Sequence, residues 1–337
     1  MKTFVPLLIV AAAQAQSWTP RPSGTTASLR GVSAVNAKVV WASGTGGTYL
    51  RSIDDGAIFP AAAVPGAEQL DFRGVWALDE RTAYLLSSGE ADKSRIYKTV
   101  DGGAHWTLQF TNPDAKGFFD AIAFWDARHG IVLGDPVDGR FVILTTSDGG
   151  EHWMRQPGPA ALAKEGAFAA SNSSLVVMGD REAWFASGGP DGARVFHSSD
   201  AGVSWTVAST PIRSDSASAG IFSLAFSDAK YGVAVGGDYS KPSDASHNIA
   251  VTNDGGASWL EPTGAHPGGY RSAVVFWKQL GVWITTGPSG SDISKDGGAT
   301  WKQFDGGAYN ALGMGWAVGP KGSVAKFNSL PIATGQR

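Results

Sequence analysis

One short phrase, Ser/Thr-x-Asp-x-Gly-x-x-Trp, occurs six times in the 337-residue chain, once with Phe at its end, and limits the possible folds more than any other feature. The aspartates of successive copies are separated by 47, 47, 52, 54 and 42 residues. Repeats of roughly 40–50 residues are typical of the four-stranded blades of a β-propeller. The aspartates are Asp54, Asp101, Asp148, Asp200, Asp254 and Asp296.

The phrase itself has the composition of a hairpin loop. It follows an apolar run, such as residues 141–144, and precedes another short apolar run. An Asp side chain can accept backbone N–H bonds within its own turn, and Gly can adopt a positive φ there. The terminal Trp then begins the next strand and packs against neighbouring layers. We therefore expect the six aspartates to have a structural role.

A second pair of β-rich runs precedes each phrase. In the first two units these runs are residues 29–35 and 39–44, and residues 72–78 and 83–87. Each unit therefore consists of strands A, B and C, the Asp phrase, and strand D. The composition agrees, because 45 glycines supply many tight turns and 43% hydrophobic residues are enough for a core.

A seventh unit, without an Asp phrase, is present near the C-terminus. Its A, B and C strands are predicted at residues 309–313, 315–319 and 323–327. Residues 18–22 begin with Trp-Thr, like the strands that follow other Asp phrases, and are predicted to supply the missing strand D. This pairing would close the ring and remove free sheet edges. The sequence thus predicts an all-β, seven-bladed propeller as a single domain over residues 16–337.

The first 15 residues have the features of an export signal. Lys2 provides the positive charge, residues 4–13 form a short apolar stretch, and Ala13-Gln14-Ala15 is a small-x-small cleavage site. The alternative is a buried first strand. We expect cleavage after Ala15 and a soluble mature protein, either periplasmic or secreted.

Several function classes are excluded or not supported by the composition. The chain has no cysteine, which rules out thiol catalysis, thiolate zinc sites and cysteine-ligated iron–sulfur clusters. A formal charge of −3 offers no basic surplus for nucleic acid. The six histidines lack metal-ligand spacing, so we expect no metal and no cofactor. We also expect no membrane span and a monomeric protein.

The six phrases resemble the Asp boxes of sialidases and other BNR-repeat proteins. The fuller pattern, with Trp41-Ala-Ser-Gly44 or Trp316-Ala-Val-Gly319 before a Gly-rich loop, is similar to that of photosystem II stability/assembly factor-like propellers, and in particular to their bacterial branch. The resemblance implies that the Asp boxes lie on the face opposite the binding site. It also implies a binding or assembly function.

In such a propeller the D–A connections and B–C loops share the other face. The candidate ligand-binding residues are the polar side chains predicted there: Arg30, Arg73, Asp120, Glu165, Asp238, Tyr239, Tyr270, Arg271 and Tyr309. Three of them, Arg30, Arg73 and Arg271, begin A strands and could converge on the central axis. Guanidinium groups bind carboxylate or phosphate through paired hydrogen bonds, which predicts an anionic ligand. The alternative is that these arginines only pair with neighbouring carboxylates.

Two functions are compatible with this pattern. The first is an exported binding or assembly protein that engages a protein partner or a small anionic or carbohydrate ligand through the loop face. The second is an extracellular glycosidase similar to BNR-repeat sialidases, with Tyr309 or Tyr239 as nucleophile and Glu165 or Asp120 as acid/base. The sialidase Phe/Tyr-Arg-Ile-Pro motif is absent from the sequence, and catalytic residues stay unassigned.

Overall fold

Seven antiparallel sheets form the structure, which is a computed structural model that describes residues 16–328. Six of the sheets have four strands and one has three. The A strands of neighbouring sheets contact one another in chain order, and the seventh contacts the first. The prediction of a seven-bladed β-propeller is therefore confirmed.

The strands of each blade run A to D from the central axis outward. Those of blades 1 to 3 are Leu29–Ala34, Val40–Gly44, Thr48–Ser52 and Ala61–Ala63; Phe72–Ala77, Ala83–Ser87, Arg95–Thr99 and Thr107–Thr111; and Phe119–Phe124, Gly130–Val137, Arg140–Thr146 and Met154–Gln156. Those of blades 4 and 5 are Leu175–Met178, Glu182–Ala186, Arg194–Ser198 and Thr206–Ser209; and Ala219–Phe226, Gly232–Asp238 and Ile249–Thr252. In blade 5 a single bridge between Val251 and Leu260 stands in place of strand D.

Blade 6 consists of Ala273–Trp277, Val282–Gly287, Gly290–Ser294 and Lys302–Asp305, and blade 7 of Ala311–Gly313, Trp316–Val318, Val324–Asn328 and the N-terminal strand Ser17–Arg21. Two 3₁₀ turns, Ala91–Lys93 and Pro320–Gly322, complete the described elements.

The N-terminal strand closes the ring, as predicted. Ser17–Arg21 pairs antiparallel with Val324–Asn328, with Trp18 opposite Phe327. The Trp18 ring packs against the rings of Phe304, Tyr309 and Phe327 at centroid distances of 5.9, 5.8 and 5.3 Å. Its Nε1 donates a hydrogen bond to Ser291 Oγ of blade 6 at 2.9 Å. The strand therefore joins blade 7 and also contacts its neighbour.

Each interface between neighbouring blades has its own apolar cluster, and there are seven such clusters among the described residues. The indoles of Trp41 and Trp184 are fully buried in two of them. Trp316 is 2% exposed in the cluster between blades 7 and 1. These indoles therefore stabilise the packing of blades, and their faces are not open to a ligand.

The turns at the six repeated aspartates share one hydrogen-bond pattern. In blade 3, Thr146 Oγ1 donates to Asp148 Oδ1 at 2.8 Å and accepts from the amide of Gly150 at 2.9 Å. The amide of His152 also donates to Asp148 Oδ1, at 3.0 Å. The amide of Gly149 donates to the carbonyl of Arg128 in the A–B turn. These C–D turns therefore lie beside the A–B turns, on the face opposite the B–C loops.

Candidate functional site

A β-bulge recurs at the same position in the A strand of four blades. In blade 1, Leu29 and Gly31 pair with consecutive residues of strand B, which leaves Arg30 as the extra, unpaired residue. The same interruption leaves Arg73, Asp120 and Phe222 unpaired in blades 2, 3 and 5. A bulge bends the strand and redirects a side chain. All four side chains line one central pocket of about 560 Å³.

Equivalent positions in blades 6 and 7 can be identified from the glycine at the end of strand B, which packs closely against the start of strand A in each blade. A Cβ on Gly44 of blade 1 would touch Ser28 and Leu29, and Cβ atoms on Gly287 and Gly319 would touch Tyr270–Arg271 and Ala308–Tyr309 in the same way. Arg271 and Tyr309 therefore correspond to Leu29. The residues that follow them, Ser272 and Asn310, correspond to Arg30, and both line the pocket.

Blade 4 completes the set with Ser173. Leu175 pairs with Phe185 in blade 4 as Val32 pairs with Ala42 in blade 1, so Ser173, two residues before Leu175, corresponds to Arg30. The hydroxyl of Ser173 forms a hydrogen bond with Ser223 Oγ at 2.6 Å. We call these seven equivalent residues the inner ring: Arg30, Arg73, Asp120, Ser173, Phe222, Ser272 and Asn310. Six of them line the central pocket and supply part of its wall.

The central pocket lies on the face of the D–A and B–C connections. Of the nine candidate residues, five line it: Arg30, Arg73, Asp120, Tyr239 and Tyr270. The other side chains that line the pocket are not among the nine candidates. They include Phe118, Asp135, Phe168, Phe222 and Ser272. One signal for the ring is present in the sequence, because every inner-ring residue is followed by Gly, Ala or Ser.

Arg271 lies outside the pocket, so the structure brings together two of the three candidate arginines. Its side chain is fully buried, its Nε is 2.6 Å from Asp292 Oδ2, and its Nη1 donates to Ser289 Oγ at 2.7 Å. The reason is a register difference of one residue. Arg271 lies one residue before the position that faces the pocket. Since successive side chains of a strand point to opposite sides, Arg271 has the buried position of Leu29.

Three further candidates are also held by the protein itself. Asp238 is buried and accepts hydrogen bonds from the amide and hydroxyl of Ser240 at 2.9 and 2.6 Å. Tyr309 packs in the core against Trp18. Glu165 lines a second, neighbouring cavity of about 550 Å³, where Arg194 Nε at 2.8 Å and Ser187 Oγ at 2.5 Å bond its Oε1. Tyr309 and Glu165 therefore do not meet in one site.

Arg30 and Arg73 share one carboxylate at the central pocket. Arg73 Nε is 2.8 Å from Asp71 Oδ2, and Arg30 Nε is 3.9 Å from Asp71 Oδ1. The Nε of Arg30 has no hydrogen-bond partner among residues 16–328, and the two arginine side chains are 31% and 30% exposed. Burial lowers the pKa of Arg30 from its ordinary value, although the charge of Asp71 opposes this. Two guanidinium groups and one carboxylate leave a net positive charge on this side.

Two carboxyl groups from blade 3 lie on another side of the pocket. Asp120 is 1% exposed, and neither of its carboxyl oxygens has a hydrogen bond of normal geometry to the described residues. Burial and then the charge of Asp135 raise the pKa of Asp120 well above its ordinary value, and Arg73 opposes them. Asp135 Oδ1 accepts the amide of Ala167 at 2.8 Å, but burial raises its pKa to about 6.

Aromatic rings from blades 4 to 6 form the rest of the wall. Phe168 stacks on Phe222 with centroids 3.9 Å apart and planes 12° from parallel. Tyr270 and Tyr239 meet Phe222 edge-on at 4.7 and 6.0 Å. Tyr239 is 54% exposed, whereas Tyr270 is buried, and this burial raises its pKa. The pocket thus combines a guanidinium pair, a carboxyl pair and an aromatic wall.

The described part of the chain holds no cluster of three or more His, Cys, Asp or Glu side chains suited to a metal ion. Nor does any helix between residues 16 and 328 have the length and apolar character needed to cross a membrane.

Fold and site together define a seven-bladed β-propeller with a polar and aromatic pocket at the centre of its loop face. No family model matches the sequence, and no curated protein matches it either. Solved structures do match. One is described as YCF48 bound to D1 peptide, with a TM-score of 0.66, 14% identity, and coverage of 94% of this chain and 98% of that one.

A second match is YCF48 from Cyanidioschyzon merolae, with a TM-score of 0.62, 18% identity, and coverage of 94% and 99%. A third is the GH74 enzyme of Niastella koreensis, with a TM-score of 0.60 and 15% identity, where the match covers 84% of this chain and 47% of the enzyme. At these identities the likeness establishes the propeller fold.

Proposed function

We propose that the chain is an exported binding propeller that holds an anionic group of a protein segment or small molecule in the central pocket. The arginine pair carries this proposal. Arg30 and Arg73 share the single carboxylate of Asp71 and remain about one-third exposed to the pocket. Guanidinium groups with spare N–H donors bind carboxylate or phosphate by paired, charge-assisted hydrogen bonds.

A protein segment is our preferred ligand. The structure of YCF48 bound to D1 peptide provides an example of peptide binding on the same fold. We further propose that the chain is a BNR/Asp-box propeller of the bacterial branch of the assembly factor-like proteins. The six aspartates of the C–D turns would be structural, residues 1–15 a cleaved signal, and residues 16–337 one domain in the periplasm or outside the cell.

Of the candidate residues, Arg30, Arg73, Asp120, Tyr239 and Tyr270 are proposed to contact the ligand, because they line the pocket. Arg271, Asp238 and Tyr309 would support the site through the fold, since their side chains are buried and engaged elsewhere. Glu165, in the neighbouring cavity, would anchor Arg194.

A thermal-shift screen of carboxylates, phosphates, sugar acids and short peptides with free carboxyl ends tests this proposal. A ligand that binds only the native state raises the melting temperature by mass action. Arg30→Gln and Arg73→Gln should each weaken anion binding by about tenfold or more, because a hydrogen bond to a charged group contributes roughly 1.5–3 kcal/mol.

Arg181→Gln is the matched control. Arg181 is exposed and lies on the opposite face, where its carbonyl accepts the amide of Ala201 in a C–D turn. This variant should bind anions like the parent protein. Equal weakening by all three substitutions would indicate a general charge effect and would contradict an arginine site in the pocket.

A further inference from the structure

We propose that Asp120, together with Asp135, forms a subsite for an ammonium or guanidinium group, so that the ligand carries a positive charge as well as its anionic group. This inference rests on the proposed function and specifies its ligand. The class of ligand is a short peptide end, or a similar small molecule, that has a carboxylate and a basic side chain close together.

The first observation is the state of Asp120 itself. It is an inner-ring residue, placed by the bulge between Phe119 and Ala121 so that it lines the pocket. Its side chain is almost completely buried, and neither oxygen has a hydrogen bond of normal geometry to the described part of the protein. The amide of Asp135, which lies close to this carboxyl group, donates instead to the carbonyl of Phe118 at 2.8 Å. Burial of a polar group without a partner costs free energy. A donor that enters with the ligand would supply the missing partner.

The neighbouring arginine does not supply that partner. Arg73 directs its Nε to Asp71 and its Nη1 to the carbonyl of Ala169, at 2.8 and 3.3 Å. The other nearby acid, Asp135, accepts an amide through Oδ1 and adds a second carboxyl to the same part of the pocket. The charge of Arg73 acts on Asp120, but Arg73 forms its ion pair with Asp71. Two carboxyl groups that form no ion pair within residues 16–328 favour a cationic group over a second anion.

The aromatic wall supports the same ligand charge. The stacked rings of Phe168 and Phe222, with Tyr239 and Tyr270 edge-on to Phe222, line the pocket along with the carboxyl pair. The face of an aromatic ring attracts a cation within about 6 Å of its centroid, and the attraction is larger when water is excluded. A basic side chain in this pocket would therefore meet the ring of Tyr239, which is 54% exposed.

The test is calorimetric titration with two peptides that differ by one charge, acetyl-glycyl-lysine and acetyl-glycyl-norleucine, both with free carboxylates. The lysine peptide should bind the parent protein about tenfold more tightly or better, in the range of a charged hydrogen-bonded contact. Asp120→Asn should remove this preference and keep the binding of the norleucine peptide. Asp135→Asn should reduce the preference and serves as a second variant if the first does not fold.

Asp138→Asn is the matched control, since it removes one negative charge from the B–C hairpin of the same blade. Asp138 is exposed and has a φ of 53°, which Asn adopts readily. It should keep the lysine preference in full. Equal affinity of the two peptides for the parent protein would overturn the cation subsite and leave the arginine site standing. Binding of neither peptide would overturn both proposals, and a preference that survives in Asp120→Asn would overturn the subsite.

Discussion

The buried ion pair of Arg271 and Asp292 stands where blade 1 has two apolar residues. Arg271 corresponds to Leu29 of blade 1, and Asp292, opposite Thr285, corresponds to Leu50, opposite Ala42. Leu29 and Leu50 lie in one apolar cluster. Removal of one partner of a buried pair leaves an uncompensated charge, whereas replacement of both by apolar residues is often neutral or stabilising.

We therefore expect Arg271→Leu alone to lower the free energy of unfolding by about 3–5 kcal/mol. The double variant Arg271→Leu/Asp292→Leu should recover most of this loss. Urea denaturation of the single and double variants measures both values. A double variant no more stable than the single one would mean that the pair has a structural role that leucines cannot replace.

Asp120 gives a second prediction at the residue scale, which concerns pH. Its pKa is raised in the folded protein, as is that of Asp135, so the folded state holds these protons more tightly than the unfolded chain. Stability should therefore fall as pH rises from the ordinary aspartate range through about 6, the pKa of Asp135, and through the raised pKa of Asp120. Asp120→Asn should be more stable than the parent near pH 8 and equal to it near pH 4.

Urea denaturation across this pH range measures the effect, with Asp138→Asn as the exposed control. The same stability difference at both ends of the range would show that the proton on Asp120 is not linked to folding.

The inner ring also shows how far residue-level prediction extends. The six Asp turns were predictable because each turn is local and its donors and acceptors lie within a few residues of one another. Arg271 was assigned to the wrong side of its strand, because both Arg271 and Ser272 precede a small residue. Phe168 reaches the pocket from the connection before blade 4, and Asp135 from an irregularity in strand B of blade 3 between Gly134 and Pro136. A repeat pattern encodes neither feature.

At the level of elements, the N-terminal strand is the one whose removal changes the whole ring. Without Ser17–Arg21, the strand Val324–Asn328 would present an unpaired edge, and the aromatic group around Trp18 would lose its centre. Unpaired strand edges promote association between chains. Closure by this strand was predictable from the missing strand D and the Trp-Thr start, and its observed bounds differ from the predicted 18–22 by one residue at each end.

We expect a chain that begins at residue 23 to melt at a lower temperature and to associate in a concentration-dependent way. Size-exclusion chromatography at several concentrations, together with thermal melting, measures this. A chain that begins at Gln16 is the control and should behave as a stable species. Unchanged melting of the shorter chain would show that blade 7 holds the ring closed with three strands.

For the whole molecule, the arrangement of apolar clusters predicts cooperative unfolding. Every cluster is shared by two neighbouring blades, including the one between blades 7 and 1. No blade can therefore unfold without exposing the core of both neighbours. We expect one calorimetric transition whose calorimetric and van't Hoff enthalpies agree. Two separate transitions would show that part of the ring unfolds independently.

The bulges of the A strands have a consequence for the diversification of this scaffold. A bulged residue is outside the ladder of backbone pairs, so a change of its side chain does not disturb the hydrogen bonds of the sheet. The inner ring already holds two arginines, an aspartate, an asparagine, two serines and a phenylalanine at equivalent backbone positions. Randomisation of the four bulged positions, Arg30, Arg73, Asp120 and Phe222, would therefore give a library of altered binding specificities on one unchanged backbone.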